Sequence, residues 1–376
     1  VSKPVVGLRL SDRQRLSWLR LIRTPNVGPA SFRALINRFG SAEAALEVLP
    51  ELTLSGGASR LVRIPAIAEI EAEMQAARRI GARFVCIGEP DYPPLLKHMD
   101  HPPPVLAVKG AGAVFAMPTV AIVGARNASL AGIKMARILA AELGREGYAI
   151  VSGLARGIDT AAHQSSLLTG TVAVLAGGLD LPYPPENAGL NDEIAERGAV
   201  VSEMPFGWQP RAQDFPRRNR LVAGAALGLV VVEAAERSGS LISARLAAEM
   251  GRQVFAVPGS PLDPRARGTN GLIKDGATLV TETADILNAL ASQIDTRFVP
   301  NTPAEEPSDF SATLPPADSE RERVIETLGQ APVNIDEIIR HTGLHPAQVA
   351  IVLLELDLAG RLERHAGGFV SLIFSH

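Results

Sequence analysis

The chain has 376 residues, 46% of them hydrophobic and 20% charged, which is ordinary for a globular protein of two or three domains and excludes a disordered or fibrous one. With 37 Lys and Arg against 40 Asp and Glu, the formal net charge is −3. No global basicity therefore draws the chain to a polyanion, and any such site has to come from local clusters of arginine.

The longest strongly apolar stretch, residues 225–232, is far too short to span a bilayer. The N-terminal residues hold no apolar h-region, so no secretory signal is expected. Cys86 is the only cysteine, which excludes an intrachain disulfide and suits a reducing, cytoplasmic setting.

Residues 1–80 predict a small helical domain, with Leu16, Leu19 and Ile22, then Phe32, Leu35, Ile36 and Phe39 at helical spacing. Between these runs, TPNVGPAS is a tight Pro- and Gly-rich turn. It resembles the turn of a helix-hairpin-helix (SAM-like) module, whose backbone N–H groups can face a phosphate. The single Gly28, followed by Pro29, makes that match loose and favours a plain helical packing module.

Residues 81–292 change character. The apolar runs RFVCI, VLAV, VAIV, YAIV, TVAVL, AVVS, GLVVVE, QVFAV and TLV recur, most of them separated by helical patterns such as AGIKMARILAAELGREG. Runs that are apolar on both faces belong to strands covered on both sides, so the expected fold is α/β: an extended Rossmann-like, doubly wound, mostly parallel sheet. Residues 293–318, rich in proline and without periodicity, predict a flexible linker.

Residues 319–376 predict a winged-helix domain of three short helices and a two-stranded wing with a Gly-Gly turn. It holds five Lys or Arg against eight Asp or Glu. Its third helix, HPAQVAIVLLELDLAG, has two acids and no Lys or Arg, whereas major-groove readers place basic and amide side chains there. Only Arg361, Arg364 and His365 could meet phosphate, so this domain is expected to contact protein or regulate the chain. A duplex-binding regulator acting through the winged helix is the less favoured alternative.

The chemistry gathers where strands end, since ligands of an open parallel sheet bind outside the strands' carboxyl ends. VAIVGARNAS, AIVSGLARGIDTAAH, AVLAGGLD, AVVSEMPFG, VVVEAAERSGSLISA and VFAVPGS all end in small and polar residues. Glycine turns that open helices offer N–H donors and a positive helix end to an anion, although any single one also fits plain packing. The first such turn holds Gly124, Ala125, Arg126 and Ser129, and the second Gly153, Arg156 and Gly157. Arg126 and Arg156 take similar loop positions, and a guanidinium grips phosphate oxygens bidentately.

MPFGWQPRAQDFPRRNR carries Arg211, Arg217, Arg218, Asn219 and Arg220 against one acid, Asp214, with Phe206, Trp208 and Phe215 interleaved. Basic groups beside aromatic faces suit a single nucleic-acid strand, where each stacked base contributes about 1–3 kcal/mol. The same aromatics would also serve as core anchors. Ser238, Gly239 and Ser240 follow a strand directly and form either a phosphate nest or a simple helix cap.

Signs of catalysis are weaker. Asp159 and His163 stand four apart on one helical face, as an acid–base pair or as a helix cap satisfied by the histidine. Glu203 and Glu233 end strands but are not spaced for a metal or a dyad. There is no Walker loop, and Gly124-Ala125-Arg126 breaks the dinucleotide G-x-G-x-x-G at its second glycine, where a side chain blocks the pyrophosphate. The reading is a non-enzyme with no cofactor, no metal and no catalytic residue. The alternative is a Rossmann-type nucleotide-processing enzyme of the phosphoribohydrolase kind, but SGSLISARLAAE has Ser243 where its catalytic acid is expected.

VGAR, VSGLARGIDTAAH, VLAGGLDLPYPPEN, SEMPFG, FPRRNR, VVEAAERSGSLISA and VFAVPGS resemble, in order, the motifs of the DNA-processing protein A (DprA/Smf) family. The resemblance covers about residues 90–290 and extends to the flanking modules. It implies a single-stranded DNA-binding protein of natural transformation that protects incoming strands, helps RecA load, and dimerises through its Rossmann-like domain. It also implies that the arginine of a Gly-Ser-Arg loop, which falls on Arg126, and a basic residue that falls on Arg156 hold DNA. Ala125 replaces the motif serine, removing one potential hydrogen bond of about 0.5–1.5 kcal/mol.

Overall fold

Strand-forming runs and helical runs alternate along the chain, and a computed structural model describes residues 9–297, 316–365 and 367–373. Four helices come first: α1 (Asp12–Ile22), α2 (Pro29–Phe39), α3 (Ala42–Ser55) and α4 (Ile67–Arg79). Next are β1 (Ala82–Cys86), β2 (Val105–Gly110), β3 (Thr119–Val123), α5 (Leu130–Arg145), β4 (Ala149–Ser152), α6 (Ile158–Ser166), β5 (Thr171–Val174) and α7 (Ala188–Arg197). The alternation continues through β6 (Ala199–Ser202), α8 (Asp214–Gly224), β7 (Gly228–Val231), α9 (Gly239–Glu249), β8 (Gln253–Ala256), α10 (Arg267–Lys274), β9 (Thr278–Leu279) and α11 (Thr283–Arg297). The last group is α12 (Asp318–Glu326), β10 (Val333–Asn334), α13 (Ile335–Thr342), α14 (Pro346–Leu358), β11 (Leu362–His365) and β12 (Phe369–Leu372).

These elements form two units. Among the described residues, one comprises Arg9 with residues 72–297, and the other residues 10–71 with those from 316 onward. Most of the stretch expected as a linker lies outside the described residues, although α11 carries the helix on to Arg297.

The first unit is built on a nine-stranded sheet in the order β1-β2-β6-β5-β4-β3-β7-β8-β9. From β6 to β9 all neighbours are parallel, while β2 pairs antiparallel with both β1 and β6. The mostly parallel, doubly wound α/β fold is therefore as expected, with an antiparallel edge that the apolar runs alone did not reveal. Alternate strand residues serve opposite layers. Ala121, Val123, Val151 and Val172 pack on one face, and Val120, Ile122 and Ile150 on the other. Chain order reverses at β3, which pairs with β4 on one side and β7 on the other. That is a topological switch point, and a crevice opens there at the carboxyl ends of the strands.

The second unit combines α1–α3 with the elements from α12 onward. Its three-stranded wing sheet runs β10-β12-β11, with Gly367 and Gly368 both at positive φ in the turn. Helix α14 buries Val349, Val352, Leu353 and Leu356 in the winged-helix core. Its Leu354 and Leu358 pack instead with Leu21, Phe32, Leu35 and Leu49 of α1–α3. A helix that is apolar all round is buried on all sides, and of α14 only Pro346 and Ala350 are exposed.

Polar contacts lock this arrangement. Asn26 Nδ2 donates to Leu358 O (3.1 Å) and Arg361 to Gly56 O (3.1 Å). Arg321 grips the buried Glu355 with two hydrogen bonds of 2.8 and 2.9 Å. The protein surface that covers the third helix is thus the chain's own N-terminal module. The arginines named as the only phosphate contacts of this domain are also engaged, because Arg364 pairs with Asp357 (3.0 Å) and Arg361 with Gly56, while His365 hydrogen-bonds Ser371 (2.8 Å).

Candidate nucleic-acid interface

The turns after β3 and β4 carry Arg126 and Arg156, and backbone contact fixes their spacing. Ile158 N–H donates to Ala125 O (3.3 Å), and Gly157 lies at φ +77° so close to the Ala125 and Arg126 backbone that a Cβ there would clash. Only glycine fits at that position. Gly153 is equally constrained, since the Arg218 guanidinium passes where its Cβ would stand.

Arg126 and Arg156 are exposed and together line a cavity of about 220 Å³ whose walls include Tyr183, Phe215 and Arg218. Tyr183 meets Phe215 edge-on with centroids 5.8 Å apart, and the Arg126 guanidinium stands 5.2 Å from the Phe215 ring centre. Arg156 faces Glu186 at 3.4 Å, but both side chains are exposed and such a pair holds weakly. The site thus combines cations that match phosphate with ring faces that match bases. Tyr183 was not foreseen; it lies in the loop after β5, five residues beyond the Gly177-Gly178 turn of VLAGGLDLPYPPEN.

A second cavity, of about 710 Å³, opens on the other side of Arg126 and Phe215. Gly124, Ala125, Asn219, Ser238, Gly239 and Ser240 lie on its wall. Ser238 caps α9 by accepting from Ser240 N–H (3.4 Å), and its hydroxyl meets the Ser240 hydroxyl (2.7 Å). Both readings of the Ser-Gly-Ser turn are therefore compatible with the geometry, a helix cap that faces the crevice. Asn219 bridges to the Gly239 carbonyl (3.3 Å).

Other residues of the candidate set are drawn into the scaffold. Arg218 is 6% exposed, and its guanidinium donates to the carbonyls of Gly153 and Val174, tying together the ends of β4 and β5. Burial pushes its pKa down to about 10, opposed by the nearby Asp159 and reinforced by Arg126, so it stays charged at neutral pH and adds field to the cavity. Arg217 and Arg220 share the buried Glu203, whose single charge offsets one of their two, and Arg217 keeps an exposed face.

Ser129 is likewise engaged. Its N–H and hydroxyl both donate to the Glu233 carboxylate, and its hydroxyl caps α5 at Gly132 N–H (3.0 Å). Glu233 therefore occupies the helix end where a Rossmann fold places a pyrophosphate, a second obstacle to a dinucleotide beside the side chain of Arg126.

Of the three aromatics in the 204–220 segment, Phe215 alone lines these cavities. Phe206 packs on Phe84 (5.9 Å), and Trp208 donates to Asp214 (2.9 Å) beneath Arg211. Nor do Asp159 and His163 form a pair. Asp159 accepts from the N–H groups of Gly153 (3.1 Å) and Ala155 (3.3 Å), bracing the turn, while His163 Nδ1 bonds Thr171 (2.7 Å). Burial raises the Asp159 carboxyl above its ordinary value and lowers His163 to about 3. His163 is fully buried and does not line either cavity. Among the described residues no cluster of His, Cys, Asp or Glu could hold a metal, and no helix is long and apolar enough to cross a membrane.

Comparison with known proteins identifies the family. The family described as DNA recombination-mediator protein A matches residues 83–291, a DprA winged-helix domain matches 306–368, and a DprA-like N-terminal HHH domain matches 12–76. The last favours the helix-hairpin-helix reading of the N-terminal turn over a plain packing module. The Smf protein of Escherichia coli is 39% identical over 75% of this chain and 75% of its own length. That of Synechocystis is 30% identical over 95% of this chain and 98% of its own. Among solved structures, DNA processing protein A of Streptococcus pneumoniae superimposes with a TM-score of 0.62 at 33% identity, covering 75% of this chain and 98% of that one. That of Helicobacter pylori, described for its single-stranded DNA binding mode, gives 0.52 at 30% identity over 56% of this chain and 96% of that one. The chain belongs to the DNA recombination-mediator protein A family, the DprA/Smf proteins.

Proposed function

We propose that this protein binds single-stranded DNA without catalysing its breakdown, protects the strand, and helps RecA load onto it, acting in the cytoplasm as a homodimer formed through the sheet unit. The observation that carries the binding claim is the cavity where Arg126 and Arg156 stand exposed beside Tyr183 and Phe215. Phosphates take the guanidinium groups and bases take the rings, a combination that tolerates any sequence. The single-stranded DNA binding mode described for the Helicobacter pylori relative supports the same ligand.

Hydrogen bonds between charged groups contribute about 1.5–3 kcal/mol each. Replacing Arg126 and Arg156 together by alanine should therefore lower affinity for a single strand by about 100-fold or more, while the circular dichroism spectrum is unchanged. Titration curves that match the parent would sink the assignment. Protection is checked by nuclease digestion of the bound strand, and RecA loading by strand exchange on DNA coated with single-strand binding protein. Both should fail in the double variant.

A further inference from the structure

The crevice does not end at Arg126. Rim turns follow the spatial order of the strands, so the turns after β4, β3, β7 and β8 lie side by side. Each carries an arginine: Arg156, Arg126, Arg237 and Arg265 in that order. Arg126, Arg237 and Arg265 all line the larger cavity, joined by the amino end of α9 and the Ser238 and Ser240 hydroxyls. Arg237 is exposed and stands outside the neighbouring ion pairs; Arg265 meets Asp263 (3.0 Å), but both side chains reach solvent, and such a pair, like Arg156–Glu186, holds weakly against a phosphate. On the same wall, the helix end after β3 is closed to anions by Glu233, so the open anion-facing helix end in this cavity is that of α9.

Resting on the single-strand reading above, we propose that the DNA backbone crosses the switch point, running perpendicular to the β-strands from the turn after β4 to the turn after β8, with Arg237 and Arg265 as phosphate contacts beyond Arg126. Neighbouring strands lie ~4.8 Å apart, so the four turns span ~14 Å of rim. The 220 Å³ cavity holds the first part of the path and the 710 Å³ cavity its continuation. Phe215 lines both and so stands where the two parts meet.

The experiment uses the full chain and a ladder of oligothymidylates, with salt titrations at each length, for the parent, R237A/R265A and R126A/R156A. For the parent, affinity should rise with length until the whole rim is filled. R237A/R265A should bind the shortest oligomers as the parent does, lose about 10-fold or more on the long ones, and show a salt slope shallower by about 1.4, at about 0.7 per lost contact. R237K/R265K should restore the slope, because the contact is one of charge. If R237A/R265A matches the parent in affinity and slope at every length while R126A/R156A loses binding, the path is wrong and the single-strand reading stands. If neither pair loses binding, both fall.

Discussion

The two units use arginine in opposite ways. In the sheet unit, Arg126 and Arg156 stand exposed on a rim, with aromatic rings beside them. In the terminal unit, Arg321, Arg361 and Arg364 are each committed to a carboxylate or a carbonyl of the same unit. Helix α14, which in a winged helix enters the major groove, is apolar on both sides and covered by α2 and α3. What differs is that Arg126 and Arg156 stay exposed on the wall of a cavity, whereas Arg321, Arg361 and Arg364 are spent on contacts within their own unit. On the proposed reading a strand held by phosphate contacts belongs to the first unit, while in the second α14 packs against the N-terminal helices.

The contrast can be broken first in the terminal unit. Removing Arg321 leaves the Glu355 carboxyl, 2% exposed, without its bidentate partner. Losing one member of a buried pair costs about 3–5 kcal/mol. R321A should therefore lower the unfolding midpoint of this unit while single-strand affinity is unchanged. The two tryptophans report the units separately, Trp18 in the terminal unit and Trp208 in the sheet unit. A W208F background should show an early transition and a W18F background none; a loss of DNA binding in R321A would erase the division of labour.

Acid should act on the sheet unit through His163. Its folded pKa of about 3 lies below the ordinary 6.5, so the unfolded chain binds the proton more readily. The stability it confers is complete above pH 6.5 and is lost as pH falls toward 3, by about 2–3 kcal/mol at pH 4.5. Asp159 acts in the opposite sense, because burial raises its carboxyl and favours the fold at lower pH. Comparing the parent with H163Q isolates the histidine: between pH 7 and 4.5 the Trp208 signal of the parent should lose stability more steeply. Parallel pH curves would contradict the assignment.

Smaller effects sharpen the rim itself. G157A places a methyl group against the Ala125 and Arg126 carbonyls at a left-handed φ, which should cost about 1–3 kcal/mol and weaken single-strand binding through the displaced Arg126. Denaturant midpoints and anisotropy titrations check the two parts. E186Q removes the exposed competitor of Arg156 and should tighten binding by up to about 5-fold, fading in high salt. No gain at low salt would mean that Arg156 does not meet the strand.

The sheet was legible because strands covered on both faces, such as VAIV and YAIV, need no polar alternation, and helical runs separate most of them. Arg126 and Arg156 were legible because similar positions in consecutive turns become neighbours in a parallel sheet. What escaped depends on partners distant in sequence. Glu233, 104 residues from Ser129, gives no local sign that it caps α5. Arg218 looks like its neighbours Arg217 and Arg220, yet only it is threaded past Gly153. Tyr183 sits inside the VLAGGLDLPYPPEN motif, but its place beside Phe215 depends on a residue 32 positions away. The mostly apolar HPAQVAIVLLELDLAG did carry a signal: apolar residues on more than one side of a helix need covering twice, and the second cover is the N-terminal module.

The central claim is that the strand lies on the sheet rim and not on the winged helix. Ultraviolet cross-linking of a thymidine oligomer to the full-length protein, followed by peptide mapping, tests it directly. Cross-links are expected on the peptides that carry Tyr183 and Phe215, lost in R126A/R156A, with none on α14 or the wing. Cross-links concentrated in residues 346–372, and unaffected by the double substitution, would contradict it.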